Sequence, residues 1–353
     1  MINLDRILEG VRTVGIAGHI RPDGDAYGSC MGLYLFLKRF YPGIRTEFFL
    51  EASYPDSFRF ISCSDEVISD YPEREETDVF FSLDCSDRER LGNALTYFDN
   101  AKVTVVVDHH ISNPAFGMIN EIQPAASSTS ELIALMIGKE RLTKEIAEAL
   151  YMGIVHDTGI FRFSCTSSRT MMVAGWLMDT GIDFTKITDD TFFRVSYHEN
   201  QILGRALLES MLVLDRRVIV STVRRKQMDF YQVTPKDLSG IIQQLRVTEG
   251  VEAALFLYES GNQEYKVSMR SNGRLDVAAI AGYFGGGGHR LAAGCTMQGT
   301  EHDVMNNIIR KMDEQFRELN ARAGEDPVSA GPAPSGRKPD LHSGEEPTCS
   351  PES

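Results

Sequence analysis

The sequence predicts an α/β protein: a doubly wound parallel sheet in the first half, followed by a smaller α/β domain. Three observations predict it. Up to Asp157, short apolar runs that end at Asp or just before His alternate with helix-like stretches, the rhythm of βαβ units. After Gly181 that rhythm gives way to a polar stretch. Beyond it, new strand-like runs surround four consecutive glycines, Gly285 to Gly288.

Thr13–Gly18 reads as the first strand and Ala26–Phe40 as a helix rich in Leu, Phe and Tyr. Asp78–Leu83 and Lys102–Val107 are short and apolar, as buried parallel strands are. Ser128-Thr129-Ser130-Glu131 is a capping-box pattern that opens a helix running through Ile137. Thr143–Val155 is a further helix that stops beside Asp157. Asp183–Leu208 reads as a polar, partly helical connector. Val213–Arg224, Val251–Tyr258, Tyr265–Arg270 and Ala293–Met297 carry the second set of strands, with helices expected over Val277–Phe284 and Asp303–Leu319. From Ala321 the chain turns to Pro, Ser, Gly and Glu, and this composition predicts disorder. The expected organisation is therefore an α/β domain over 1–182, a helical linker over 183–208, a smaller α/β domain over 209–320 and a tail over 321–353.

Composition narrows the function. At 42% hydrophobic and 24% charged, the chain is an ordinary globular sequence. No apolar run reaches the roughly 18 residues that a membrane helix needs. The opening residues lack the basic head and apolar stretch of a signal peptide, and the six cysteines form no CxxC pair, which together predict a reduced, cytoplasmic setting. A net charge of −14 argues against long nucleic-acid partners, which need a broad basic surface. It leaves room for a short anion held by divalent ions, since bound ions reverse the local field.

The chemistry-bearing residues lie where those strands end. His19-x-x-x-Asp23-x-Asp25 packs an imidazole and two carboxylates into a turn, with Gly24 allowing a tight backbone and Pro22 stiffening the entry. An Asx-turn with capping aspartates is the plainer reading of that segment. Asp84 closes one apolar run, and Asp108-His109-His110 closes another. Asp157 follows a helix; His156 beside it reads better as a structural residue. Carboxylate and imidazole donors without a cysteine pair suit Mn²⁺, Mg²⁺ or a similar hard ion. The carboxyl edge of an open α/β sheet is also where ligands bind. In the second half, Gly285–Gly288 and His289 can approach an anion closely, and Arg270-Ser271-Asn272 can clamp a phosphate at a strand end.

Taken together, these motifs resemble the DHH phosphoesterase family, with Asp108-His109-His110 as the triplet that names it. Gly285–Gly294 resembles the signature of the family's associated C-terminal domain. The resemblance runs from residue 5 to residue 320, with five motifs in the family's order. It implies two divalent ions, Mn²⁺ first, with Mg²⁺ or Co²⁺ as alternatives. One ion would take His19, Asp23 and Asp84. The other would take Asp25, Asp84, His109 and Asp157, so that Asp84 bridges. His110 and Asp108 would be the catalytic pair, His110 on the phosphate and Asp108 behind it. Arg270, Ser271, Asn272, Gly286, Gly287, Gly288 and His289 would grip the substrate's far end, so the resemblance makes 1–182 the catalytic domain and 209–320 the substrate-binding domain, with the active site in the cleft between them. The implied reaction is hydrolysis of short nucleotides, namely nanoRNA oligonucleotides and 3′-phosphoadenosine 5′-phosphate (pAp), by a hydroxide bridging the ions. A phosphodiesterase for cyclic or linear dinucleotides such as pApA has the same layout. A single-strand DNA exonuclease and a non-catalytic nucleotide sensor are further alternatives. The expected partners are thus short RNA, dinucleotides or pAp, without long duplexes or a membrane, in a chain able to form a homodimer.

Overall fold

The computed structural model describes residues 1–51, 54–72 and 76–323. The chain divides into two compact units, Met1–Arg194 and Val195–Ser353. The expected tail lies outside the described residues, apart from the last helical turn ending at Ala323.

The first unit runs α1 (Leu4–Ile7), β1 (Thr13–Ala17), α2 (Gly24–Phe40), β2 (Arg45–Phe49), β3 (Val79–Leu83), α3 (Leu95–Asp99), β4 (Val103–Asp108), β5 (Ile119–Ile122), α4 (Thr129–Ile137), α5 (Lys144–Asp157), α6 (Ser168–Asp179) and α7 (Phe184–Thr188). Its strands form one parallel sheet in the order β2-β1-β3-β4-β5. Strand order reverses between β1 and β3, so the crevice outside their carboxyl ends is the topological switch point of a doubly wound sheet. β1, β3 and β4 are almost wholly buried, which explains their continuous apolar runs.

Helix packing delivers the remaining site residues to that edge. α2 and α5 cross antiparallel at very short range. A Cβ on Gly28 would lie 2.5 Å from the Ala149 carbonyl oxygen, and one on Gly32 would lie 2.4 Å from Leu150 Cδ2. Only hydrogen fits at those two points, and the close crossing sets the start of α2 beside the end of α5. Gly24 serves the same contact. Its φ is not positive, so it makes no special turn; a Cβ there would meet the ring of His156 at 2.3 Å. α4 begins at Thr129, with Ser128 Oγ accepting the Glu131 amide at 3.0 Å. The expected capping box is half formed, because the Glu131 carboxylate turns to Ser127, Thr170 and Arg169.

The second unit runs α8 (Tyr197–Leu208), β6 (Met211–Val213), β7 (Val218–Val223), α9 (Arg225–Tyr231), α10 (Ser239–Arg246), β8 (Ala253–Gly261), β9 (Glu264–Ser271), α11 (Val277–Tyr283), β10 (Gly287–His289), β11 (Ala292–Gln298) and α12 (Glu301–Ala323). Its sheet order is β10-β11-β9-β8-β7-β6, with β7 and β8 parallel and every other pair antiparallel. α11 and α12 cover one face. On the other face α8 and α10 pack against β7 and β8, whereas Ser268, Arg270, Ala292 and Gly294 remain partly exposed. The expected linker is divided between the units: Ile187 joins the core of the first, and Ile202 and Ala206 join the core of the second. Burying these three side chains fixes each half of the segment to its own unit.

Candidate active site at the carboxyl edge of the first sheet

Six residues converge outside β1, β3 and β4. His19 follows β1; its Nδ1–H donates to the Ile20 carbonyl at 2.8 Å, which leaves Nε2 free to face inward. That Nε2 lies 3.6 Å from Asp23 Oδ2 and 3.7 Å from Asp84 Oδ2. Asp84 leaves β3 with φ 58°, in the left-handed region that Asp tolerates better than most residues, while its N–H still pairs with the Val107 carbonyl. His109 follows β4. Its Nε2 lies 3.5 Å from Asp84 Oδ1 and 3.1 Å from Asp157 Oδ2. Asp25, in the first turn of α2, turns its carboxylate to the start of α4 and accepts the amides of Thr129 at 2.6 Å and Ser130 at 2.8 Å.

Three donor groups are compact enough to hold an ion: His19, Asp23 and Asp84; Asp25, His109 and Asp157; and Asp84, His109 and His110. The electrostatics point the same way. Burial, then Asp25 and Asp23, push the Asp84 carboxyl well above the usual carboxylate range. Burial raises Asp25 as well. Burial, then Asp25 and Asp23, take Asp157 to about 8. Asp23 falls to about 2, because hydrogen bonds and charge from His19 and bonds from two backbone amides outweigh the desolvation by its neighbours. Acidic groups this close repel one another unless a cation joins them. The residues present therefore fit a divalent metal.

His110 and Asp108 stand beside this cluster. His110 Nδ1 donates to Asp108 Oδ1 at 2.7 Å, which raises the imidazole's pKa. Burial opposes ionisation of Asp108, but the bonds from His110 and Asn113 outweigh it and hold the carboxyl below its usual range. Asn113 Nδ2 reaches Asp108 Oδ2 at 2.7 Å and the Cys85 carbonyl at 2.8 Å. Nothing in the sequence marks Asn113 as the partner of Asp108. His156 stays outside the cluster. Its Nε2 is 3.1 Å from Thr191 Oγ1, and its ring packs on Phe58 and Phe192.

The residues expected to grip substrate lie in the second unit, and the structure sorts them. Arg270 and His289 share one cross-strand row, Ala254–Arg270–Ala292–His289, with only the methyl of Ala292 between them. Burial and the neighbouring Arg246 lower the Arg270 pKa. Ser271 and Asn272 do not join that row. Ser271 is 3% exposed, and its Oγ accepts the amides of Gly273 and Leu275. Asn272 bonds the carbonyls of Arg246 and Val251 and accepts from the Arg246 guanidinium. Both residues tie the turn after β9, because their polar atoms meet closer backbone partners there. The glycine run is also only partly a loop: Gly287 and Gly288 belong to β10 and pair with Gly294 and Ala293, while Gly286 packs where a Cβ would meet the Gly294 carbonyl at 2.2 Å.

Comparison with known proteins agrees with this layout. Residues 13–154 match the DHH family N-terminal domain, and residues 215–318 match the DHHA1 domain. The chain belongs to the DHH family: it is a phosphoesterase, a hydrolase of a metal-dependent family. It is 31% identical over 314 residues to the bifunctional oligoribonuclease and PAP phosphatase NrnA of Thermus thermophilus, covering 88% of this chain and 90% of the relative. The NrnA of Bacillus subtilis is 29% identical over 325 residues, covering 87% and 95%. Among solved structures, an exopolyphosphatase-related protein from Bacteroides fragilis superposes with a TM-score of 0.80 at 24% identity, covering 90% and 96%, and shares the fold. No helix of the described residues is long and apolar enough to cross a membrane.

Proposed function

We propose that this chain hydrolyses short nucleotide phosphoesters, nanoRNA oligonucleotides and pAp, with two divalent ions at the carboxyl edge of the first sheet. The observation that carries the reading is the position of Asp84, whose two oxygens face different imidazoles: Oδ2 toward His19 at 3.7 Å and Oδ1 toward His109 at 3.5 Å. One ion then takes His19, Asp23 and Asp84, and the other takes Asp25, Asp84, His109 and Asp157. Mn²⁺ suits this mixture of oxygen and imidazole donors best, and Mg²⁺ and Co²⁺ are the alternatives. When bound, such ions lower the pKa of water and neutralise charge on phosphoryl oxygens.

The chain's own residues supply the rest. With Nδ1–H committed to Asp108, the Nε2 edge of His110 is left to donate to a phosphoryl oxygen, and its raised pKa favours the protonated ring. Asp108, held in turn by Asn113, keeps that ring oriented. Arg270 and His289 bind the substrate's second phosphate or base. The substrates named for the NrnA relatives, oligoribonucleotides and PAP, fit this division.

A panel of pAp, pApA, cyclic di-AMP and RNAs of two to five nucleotides, assayed with Mn²⁺ and with chelator, tests the proposal. Metal-dependent turnover of pAp and the short RNAs is expected. Exclusive turnover of cyclic di-AMP or pApA would move the chain to the dinucleotide phosphodiesterases. No turnover of pAp or the short RNAs with any ion would overturn the proposed substrates.

A further inference from the structure

We infer that Thr129 is a positioning residue that aligns the two innermost carboxylates, Asp25 and Asp84, for metal. The inference rests on the metal reading above. Thr129 is fully buried at the first position of α4 and reaches both groups at once. Its N–H donates to Asp25 Oδ2 at 2.6 Å, and its Oγ1–H donates to Asp84 Oδ1 at 3.0 Å. Ser130 N–H completes the hold on Asp25 at 2.8 Å.

The hydroxyl is not needed by the helix. Ser128 Oγ already caps α4, so the Thr129 side chain spends its donor on a strand end 45 positions away. A carboxylate oxygen offers two in-plane lone pairs. By occupying one on Oδ1, Thr129 sets the plane of Asp84 and leaves each oxygen with a free pair toward its own imidazole, 3.5 Å from His109 Nε2 and 3.7 Å from His19 Nε2. Rotation of that plane would turn both oxygens away together. The first turn of α4 is itself held in place. Buried Glu131 accepts from Ser127 Oγ at 2.6 Å, Thr170 Oγ1 at 2.7 Å and Arg169 Nε at 2.6 Å, and these bonds pin Thr129 two residues earlier. One residue therefore couples a ligand of one ion to the carboxylate that both ions share.

Calorimetric titration with Mn²⁺ tests this, alongside turnover of pAp and the melting temperature of the chelated protein. Thr129→Val keeps the shape and the N–H but removes the hydroxyl. Thr129→Ala removes the hydroxyl without placing a second methyl near Asp84, and is read in parallel in case the valine variant fails to fold. Removing a partner behind a metal ligand typically weakens binding by about 10- to 100-fold. That loss is expected in both variants, with an equal rise in the Mn²⁺ concentration that half-saturates turnover and little change in the chelated melting temperature. Thr129→Ser should restore most of the affinity. Wild-type Mn²⁺ affinity in the valine or alanine variant would overturn the inference, as would a serine variant as defective as valine. If the wild-type protein itself bound no Mn²⁺, the metal reading would fall first and this inference with it.

Discussion

In the first unit, His19, Asp25 and Asp84 are buried together at the carboxyl edge of the sheet; in the second, Arg270 and His289 stand on an open sheet face beside Ala292. The contrast is physical before it is functional. Asp25 and Asp84 are almost inaccessible and share their surroundings with Asp23 and Asp157, so the first site is a stressed, preorganised cluster that calls for cations. In the second region Arg270 is partly exposed and His289 exposed, on a face that also carries Ser268, Ala292 and Gly294. Convergent buried carboxylates suit a cation, whereas an Arg and a His on an exposed sheet face suit an anionic group.

Changes on the two surfaces should therefore fail differently. The largest loss is expected for Asp84→Ala, which should abolish turnover of every substrate while circular dichroism reports an intact fold; a near wild-type rate in Mn²⁺ would remove the shared carboxylate from the account. Smaller and selective losses are expected for Arg270→Ala and His289→Ala. Each removes a charge-assisted contact worth about 1.5–3 kcal/mol, or roughly 10- to 150-fold in kcat/KM on pAp and dinucleotides. Bis-p-nitrophenyl phosphate, which has no far end to hold, should be hydrolysed almost normally and metal content should not change. Equal loss on both substrates would erase the distinction between the regions. The smallest effect on catalysis is expected for Ser271→Ala. Because Ser271 Oγ serves two amides of the turn, this change should lower the melting temperature through a loss of about 1 kcal/mol and leave kcat/KM intact. A selective loss of pAp turnover would return Ser271 to the substrate grip.

Much of this was legible in the sequence, for reasons particular residues make plain. β1, β3 and β4 are continuous apolar runs because they are buried on both faces, and each leads into a donor: His19, Asp84, Asp108 and His109. β2 and β5 were missed because they are edge strands. Arg45–Phe49 opens with Arg, Thr and Glu, and Ile119–Ile122 interrupts its isoleucines with Asn and Glu. Thr129 and Asn113 were illegible because a small polar residue near a helix start or turn reads as a cap, and nothing local reveals a partner far along the chain. For Ser271 and Asn272 sequence names a substrate contact, and the structure adds what sequence could not show: backbone partners within the turn that each also serves. Gly24 was picked out for the wrong reason, since sequence suggests a turn where the structure has a helix crossing.

If the first site is built around divalent ions, their binding is linked to protons. Asp157 has a folded value of about 8, against about 4 for an ordinary carboxyl, and Asp25 and Asp84 are raised in the same direction. Groups raised in this way stabilise the metal-free fold below about pH 4, and that stabilisation is lost as pH rises through their folded values. Asp23 and Asp108 run the other way, stabilising above about pH 4 and losing that contribution on acidification. Metal must displace the protons held by the raised groups. Calorimetric titration of the chelated protein with Mn²⁺, repeated from pH 6 to pH 9 in buffers of different ionisation enthalpy, should give two ions per chain. Protons should be released on binding, and affinity should climb as pH rises through the Asp157 value of about 8. A single ion, or binding that releases no proton and ignores pH across that range, would contradict the account.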